Sequence, residues 1–158
     1  MPIRAVAGIS GPYNFYPFEY DEVRRVFGQA PNPEGTQPVN LVTADAPPML
    51  LVNGTSDPIV RSVNASALAQ RLKGQGIWVT EKFYEGFGHL EPVIALGAMW
   101  RWRMPVLQDT LDFFQTFGAF SSGTPRPVYT PEPPVDDAMT ALVKQLDQSL
   151  LPIDGGGV

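Results

Sequence analysis

The chain has no cysteine and one histidine in 158 residues. The first lack excludes a disulfide framework and thiolate metal ligation, and the second excludes a site built from several histidines. A carboxylate site for calcium or magnesium stays formally open, but the sequence contains no loop of the form D-x-[DN]-x-[DN]-G. No metal and no other cofactor is expected. Apolar runs are also short, far below the roughly 20 residues that cross a bilayer. The N-terminus, MPIRAVAG, has neither the apolar core nor the small-residue cleavage site of a signal peptide, leaving the cytoplasm as the default compartment. Basic residues are outnumbered: 11 Lys and Arg against 16 Asp and Glu give a net charge of -5. That balance provides no footprint for nucleic acid or an anionic membrane, so neither is expected as a partner.

Apolar residues make up 44% of the chain, enough for one core with an appendage. Character changes near Gly118. Residues 1–118 hold 9 basic and 11 acidic side chains, whereas 119–158 hold 2 and 5 and carry 6 of the 17 prolines. The expected organisation is an α/β unit over 1–118, a proline-rich linker over 119–135, and an amphipathic helix with a flexible C-terminus over 136–158.

Within the first unit, Ile3 to Ala7 suits a short strand and Glu19 to Phe27 two helical turns closed by Gly28. Residues 29–38 read as a loop. Pro48 to Val52 is apolar without alternation, the pattern of a parallel strand covered on both faces. Ala65, Leu68, Ala69 and Leu72 then recur at helical spacing, with a stop at Gly74 and Gly76. Ile77 to Tyr84 alternates, as a less buried strand near a sheet edge does. A second helix is expected from about Val106 to Phe117, its stripe being Leu107, Leu111 and Phe114 with Phe113 and Phe117 flanking. Strands alternating with helices imply an α/β fold of about three parallel strands joined by right-handed crossovers. Beyond the linker, Met139, Leu142, Val143, Leu146 and Leu150 form a stripe on a helix that must dock on something or fray.

Two loops follow strands at the end where open α/β sheets place their ligands. One is Asn53-Gly54-Thr55-Ser56-Asp57-Pro58; the other is Glu85-Gly86-Phe87-Gly88-His89-Leu90. An Asp and a His brought together there can act as orienting carboxylate and general base. The carboxylate fixes the tautomer and leaves the second ring nitrogen to take a proton from a hydroxyl. Asp57 and His89 are the candidate catalytic residues.

With "SGPYNF" after a strand, "LLVNGTSDPIV" around the acid and "FYEGFGHLEPV" around the base, residues 1–118 resemble the C-terminal half of an α/β-hydrolase of the carboxylesterase and lipase type. The resemblance implies a Ser-His-Asp hydrolase of small carboxylic esters, with Asp57 and His89 in the matching roles. It also exposes a gap, because the family's G-x-S-x-G and HGGG-like oxyanion loop are both missing. Gly8-Ile9-Ser10-Gly11-Pro12 comes near the first motif, but Pro12 stands in place of its last Gly and no helix can start at once. Ser10 is therefore a weak nucleophile candidate, and in the family comparison it falls on a different loop. The expectation is a truncated hydrolase whose chain alone is inactive, with Met1 an internal methionine or the start left by a truncation. An unpartnered first strand would favour self-association or pairing with a missing N-terminal half. Two alternatives stand beside this reading: a non-catalytic binding or scaffold module reusing the fold, and an enzyme recruiting Ser10 or Ser56 in a rearranged site.

Other conspicuous residues have plainer explanations. Trp100-Arg101-Trp102-Arg103 reads as packing and a solvated helix end. Tyr13, Phe15, Tyr16 and Phe18 suit core packing as well as an acyl pocket. Glu85 and Glu91, flanking His89, are expected to be solvated.

Overall fold

The structure, a computed structural model, describes residues 3–118 and 137–149; the expected linker and the chain after Ser149 lie outside the described residues. Three strands form one parallel sheet in the order β1 (Val6–Ile9), β2 (Met49–Gly54), β3 (Val79–Tyr84). Val6 faces Met49, and Met49 in turn faces Val79. Helix α1 (Asp21–Phe27) and two 3-10 turns, Glu34–Thr36 and Pro38–Leu41, lie between β1 and β2. Helix α2 (Val63–Gly74) connects β2 to β3, and α3 (Glu91–Ile94), α4 (Val106–Thr116) and α5 (Asp137–Ser149) follow.

The unbroken apolar run of β2 is explained by its two covered faces. Leu50 and Val52 point to one side, where Ala95, Met104, Val106 and Phe113 enclose them. Leu51 points to the other, against Ala65, Leu68, Ala69 and Leu72 of α2. Each face therefore takes alternate residues of one strand, as the pleat requires.

Where element bounds depart from expectation, a local cause is visible. Ile77 does not begin β3, because its N–H closes α2 by donating to Leu72 O at 3.0 Å while Gly76 N donates to Lys73 O at 2.9 Å. Gly76 supplies the left-handed φ of 77° that this helix ending needs. β1 starts three residues later than the apolar run suggested and extends through Gly8 and Ile9, leaving Ile3 exposed. Within the stretch 29–38 expected as loop, Glu34–Thr36 winds into a 3-10 turn, and a second one, Pro38–Leu41, starts at its end. In α4 the buried residues are Val106 and Phe113, so its inner face centres on Phe113 and not on the Leu107 and Leu111 stripe.

The strand β3 is tied to α4 by polar contacts. Tyr84 Oη donates to Asp109 Oδ2 at 2.5 Å and Lys82 Nζ to Asp109 Oδ1 at 3.1 Å. Burial, and then the acceptor and charge of Asp109, hold the Tyr84 phenol well above its ordinary ionisation range. The aromatics of the first connection form a cluster in which Phe15, Phe18 and Phe27 pack tilted or edge-on at centroid distances of 5.4 to 5.9 Å. Arg103 lies over the Trp100 ring at 4.9 Å and over the Phe87 and Trp102 rings at 5.6 Å, so this basic-aromatic stretch is packing.

Candidate active site

The loop that follows β2 is wound around Asp57. One carboxylate oxygen, Oδ1, accepts the backbone N–H groups of Ile59 at 2.9 Å and Val60 at 2.8 Å. Asn53, fully buried at the strand end, donates from Nδ2 to Val60 O at 2.8 Å and closes the loop. Its Oδ1 has no hydrogen-bond partner among the described residues. The second oxygen of Asp57, Oδ2, takes a longer bond from Asn53 Nδ2 at 3.4 Å and faces the neighbouring loop.

There it meets His89. Nδ1 of the ring lies 2.8 Å from Asp57 Oδ2, with the Asp57 side chain 0% exposed and the His89 side chain 21%. The two residues are 32 apart in sequence and come together because β2 and β3 are adjacent parallel strands whose C-terminal ends open on the same side. Close approach of the loops depends on Gly54, where a Cβ would strike the carbonyl oxygens of Phe87 and Gly88. Further links tie them: Ser56 N donates to Phe87 O at 3.0 Å, and Gly86 N to Thr55 Oγ1 at 2.9 Å. A carboxylate on Nδ1 favours the tautomer carrying its proton there, which leaves Nε2 as the acceptor. No hydrogen bond to Nε2 occurs among the described residues.

The backbone groups of His89 are taken as well, each by a different part of the chain. Ser10 Oγ donates to His89 O at 2.9 Å, and His89 N donates to Asp147 Oδ2 on α5 at 2.9 Å. Ser10 is buried and adopts a left-handed φ of 51°, although it leads into Gly11 and Pro12 and not into a helix. Its hydroxyl is thus engaged by the backbone of His89, not by the ring. Ser56 is exposed.

Two acidic residues matter here in ways that sequence reading missed. Glu91, expected to be solvated, is 2% exposed, and its Oε2 accepts the N–H of Gly88 at 2.5 Å. The side chain turns back from the first residue of α3 to accept an amide of the loop that leads into the helix. Asp147, 6% exposed, was expected only as part of an amphipathic helix. Its place four residues after the buried Val143 was the available signal, since that spacing puts both on one helix face. Glu85 is exposed, as expected.

A family model described as TAP-like protein, of the α/β-hydrolase type, matches residues 26–91, a stretch that includes both Asp57 and His89. No curated protein matches the sequence. Among solved structures, a truncated carbohydrate esterase from gut microbiota is 19% identical with a TM-score of 0.57, over 75% of this chain and 44% of that one. An acetyl ester-xyloside bifunctional hydrolase from Caldicellulosiruptor lactoaceticus is 16% identical with a TM-score of 0.58, over 74% and 43%. A carboxylesterase from Lactobacillus plantarum is 14% identical with a TM-score of 0.57, over 75% and 46%. The chain thus spans less than half the length of these structures. At such identities the likeness speaks for the fold alone, and with the family match it shows that this chain carries part of an α/β-hydrolase fold.

Proposed function

We propose that the chain supplies the acid and base of a Ser-His-Asp hydrolase of small carboxylic esters, and that the nucleophile comes from a segment outside it. The observation that carries this reading is the 2.8 Å contact between Asp57 Oδ2 and His89 Nδ1, made by a buried carboxylate to a partly exposed ring. In such an enzyme His89 Nε2 takes the proton of the serine hydroxyl as its oxygen bonds to the ester carbonyl carbon. The proton then passes to the departing alkoxide, and water repeats the sequence to release the acid. Asp57 holds the ring in register and stabilises the imidazolium formed in each half. The neighbours favour an ester as substrate: those described above are a carbohydrate esterase, an acetyl ester-xyloside bifunctional hydrolase and a carboxylesterase.

Ser10 does not fill the nucleophile's role in this reading, because its hydroxyl is bound to a carbonyl. The outer edge of β1, unpaired among the described residues, is where a complementary segment or a second copy would add a strand. A non-catalytic module is the alternative, favoured by the fact that no serine is bonded to the His89 ring among the described residues.

Intact mass after treatment with a fluorophosphonate separates these. The 158-residue chain alone is expected to remain unlabelled. One stoichiometric adduct, lost in His89→Ala, would instead show that a serine of this chain is activated. In a longer protein carrying this segment behind a G-x-S-x-G, labelling that depends on Asp57 and His89 is expected, and labelling indifferent to both would favour the non-catalytic alternative.

A further inference from the structure

Asp147 is a charged residue buried on a helix that is far from the sheet in sequence. Burying an ionised carboxylate is costly unless hydrogen bonds replace its water. Here both oxygens are satisfied by consecutive backbone amides of the His89 loop: Oδ2 by His89 N at 2.9 Å and Oδ1 by Leu90 N at 3.0 Å. These amides lie just ahead of α3, where a helix start leaves N–H groups without intrahelical acceptors. The space is shaped for the contact as well. Gly88 has no side chain, and a Cβ there would overlap the Asp147 carboxylate. Val143, one turn earlier on α5, is 2% exposed, so the same helix face is docked by an apolar residue too.

We propose that Asp147 is a positioning residue for His89. By holding the amides of His89 and Leu90 from α5, it fixes the backbone from which the imidazole reaches Asp57, and the C-terminal helix becomes part of the site. The base is then held at three points: its ring by Asp57, its carbonyl by Ser10 and its N–H by Asp147. This rests on the reading of Asp57 and His89 as an acid-base pair.

The sole histidine makes the idea measurable, because only one imidazole resonance set exists. Amide hydrogen exchange and imidazole nitrogen shifts would be recorded by NMR for the full chain, for Asp147→Ala, for Gly88→Ala and for Asp57→Asn. In Asp147→Ala the amides of His89 and Leu90 are expected to exchange about tenfold faster or more, as loss of a charged acceptor implies. The His89 tautomer should become mixed while the β2 amides stay protected. Gly88→Ala should reproduce the effect without altering the carboxylate, by displacing it.

Unchanged exchange at His89 and Leu90, or an unchanged imidazole signal, in both Asp147→Ala and Gly88→Ala would overturn the proposal. So would loss of protection throughout β2, which would mark a role in the whole fold. If Asp57→Asn alters the imidazole and the other two variants do not, the acid-base pair stands and the positioning role fails. If Asp57→Asn leaves the imidazole unchanged, the pair itself fails, and the positioning role falls with it.

Discussion

The hydroxyl of Ser10 donates to the carbonyl of His89 at 2.9 Å, across 79 residues of sequence. A serine in a near-copy of a nucleophile motif is thereby committed to holding the base's backbone. Because the contact is a single neutral hydrogen bond, Ser10→Ala should lower stability by about 1 kcal/mol. Ser10→Gly loses the same bond but relaxes the left-handed φ of 51°, so it should cost less. Urea unfolding of both variants checks the order; equal stability of Ser10→Ala and the parent chain would mean the bond contributes nothing.

Gly54 sets the separation between the two loops of the candidate site. A methyl group there meets the carbonyl oxygens of Phe87 and Gly88, which are backbone and cannot swing away. Gly54→Ala should destabilise the chain by about 1–3 kcal/mol, the usual range for overpacking. It should also break the contact of Asp57 with His89, seen as a changed imidazole signal.

Tyr13 gives the fold an alkaline limit. Burial raises its phenol from an ordinary 10.0 to about 12, so the folded chain holds this proton more tightly than the unfolded one. The resulting stability is complete below pH 10 and is lost as pH rises toward about 12. Tyr84, raised as well, acts in the same direction. Urea midpoints over this interval should fall with pH, and Tyr13→Phe should flatten the slope in part. A slope unaltered by that substitution would remove Tyr13 as a cause.

The edge of β1 bears on association. With β1 lacking a second neighbour among the described residues, the isolated chain is expected to dimerise or aggregate at moderate concentration. Light scattering that shows a clean monomer would argue that this edge is covered within the chain.

Legibility in the sequence followed the strength of local pattern. The run Leu50 to Val52 was readable because an unbroken apolar stretch of strand length marks a strand covered on both faces, and Ala65, Leu68, Ala69 and Leu72 because they recur at helical spacing. Asp57 and His89 were readable because each follows a strand, and parallel neighbours bring such loops together. The short helix α3 was not, since four residues with Pro92 among them show no period. Glu91 and Asp147 were missed for a related reason. Their burial depends on backbone amides that a particular turn exposes, and composition says nothing about which amides those are. Of the expected α5 stripe, Val143 is buried whereas Leu142 and Leu146 are exposed, and the other buried residue of the helix among those described is Asp147, with the side chains of Met139 and Leu150 outside the described ones.

The tautomer of His89 tests the central claim most directly. At a pH where the imidazole is neutral, nitrogen shifts of this sole histidine should show the proton on Nδ1, and Asp57→Asn should shift it. A proton on Nε2, or a mixture that Asp57→Asn leaves unchanged, would contradict the pairing and with it the assignment of an acid and a base to these two loops.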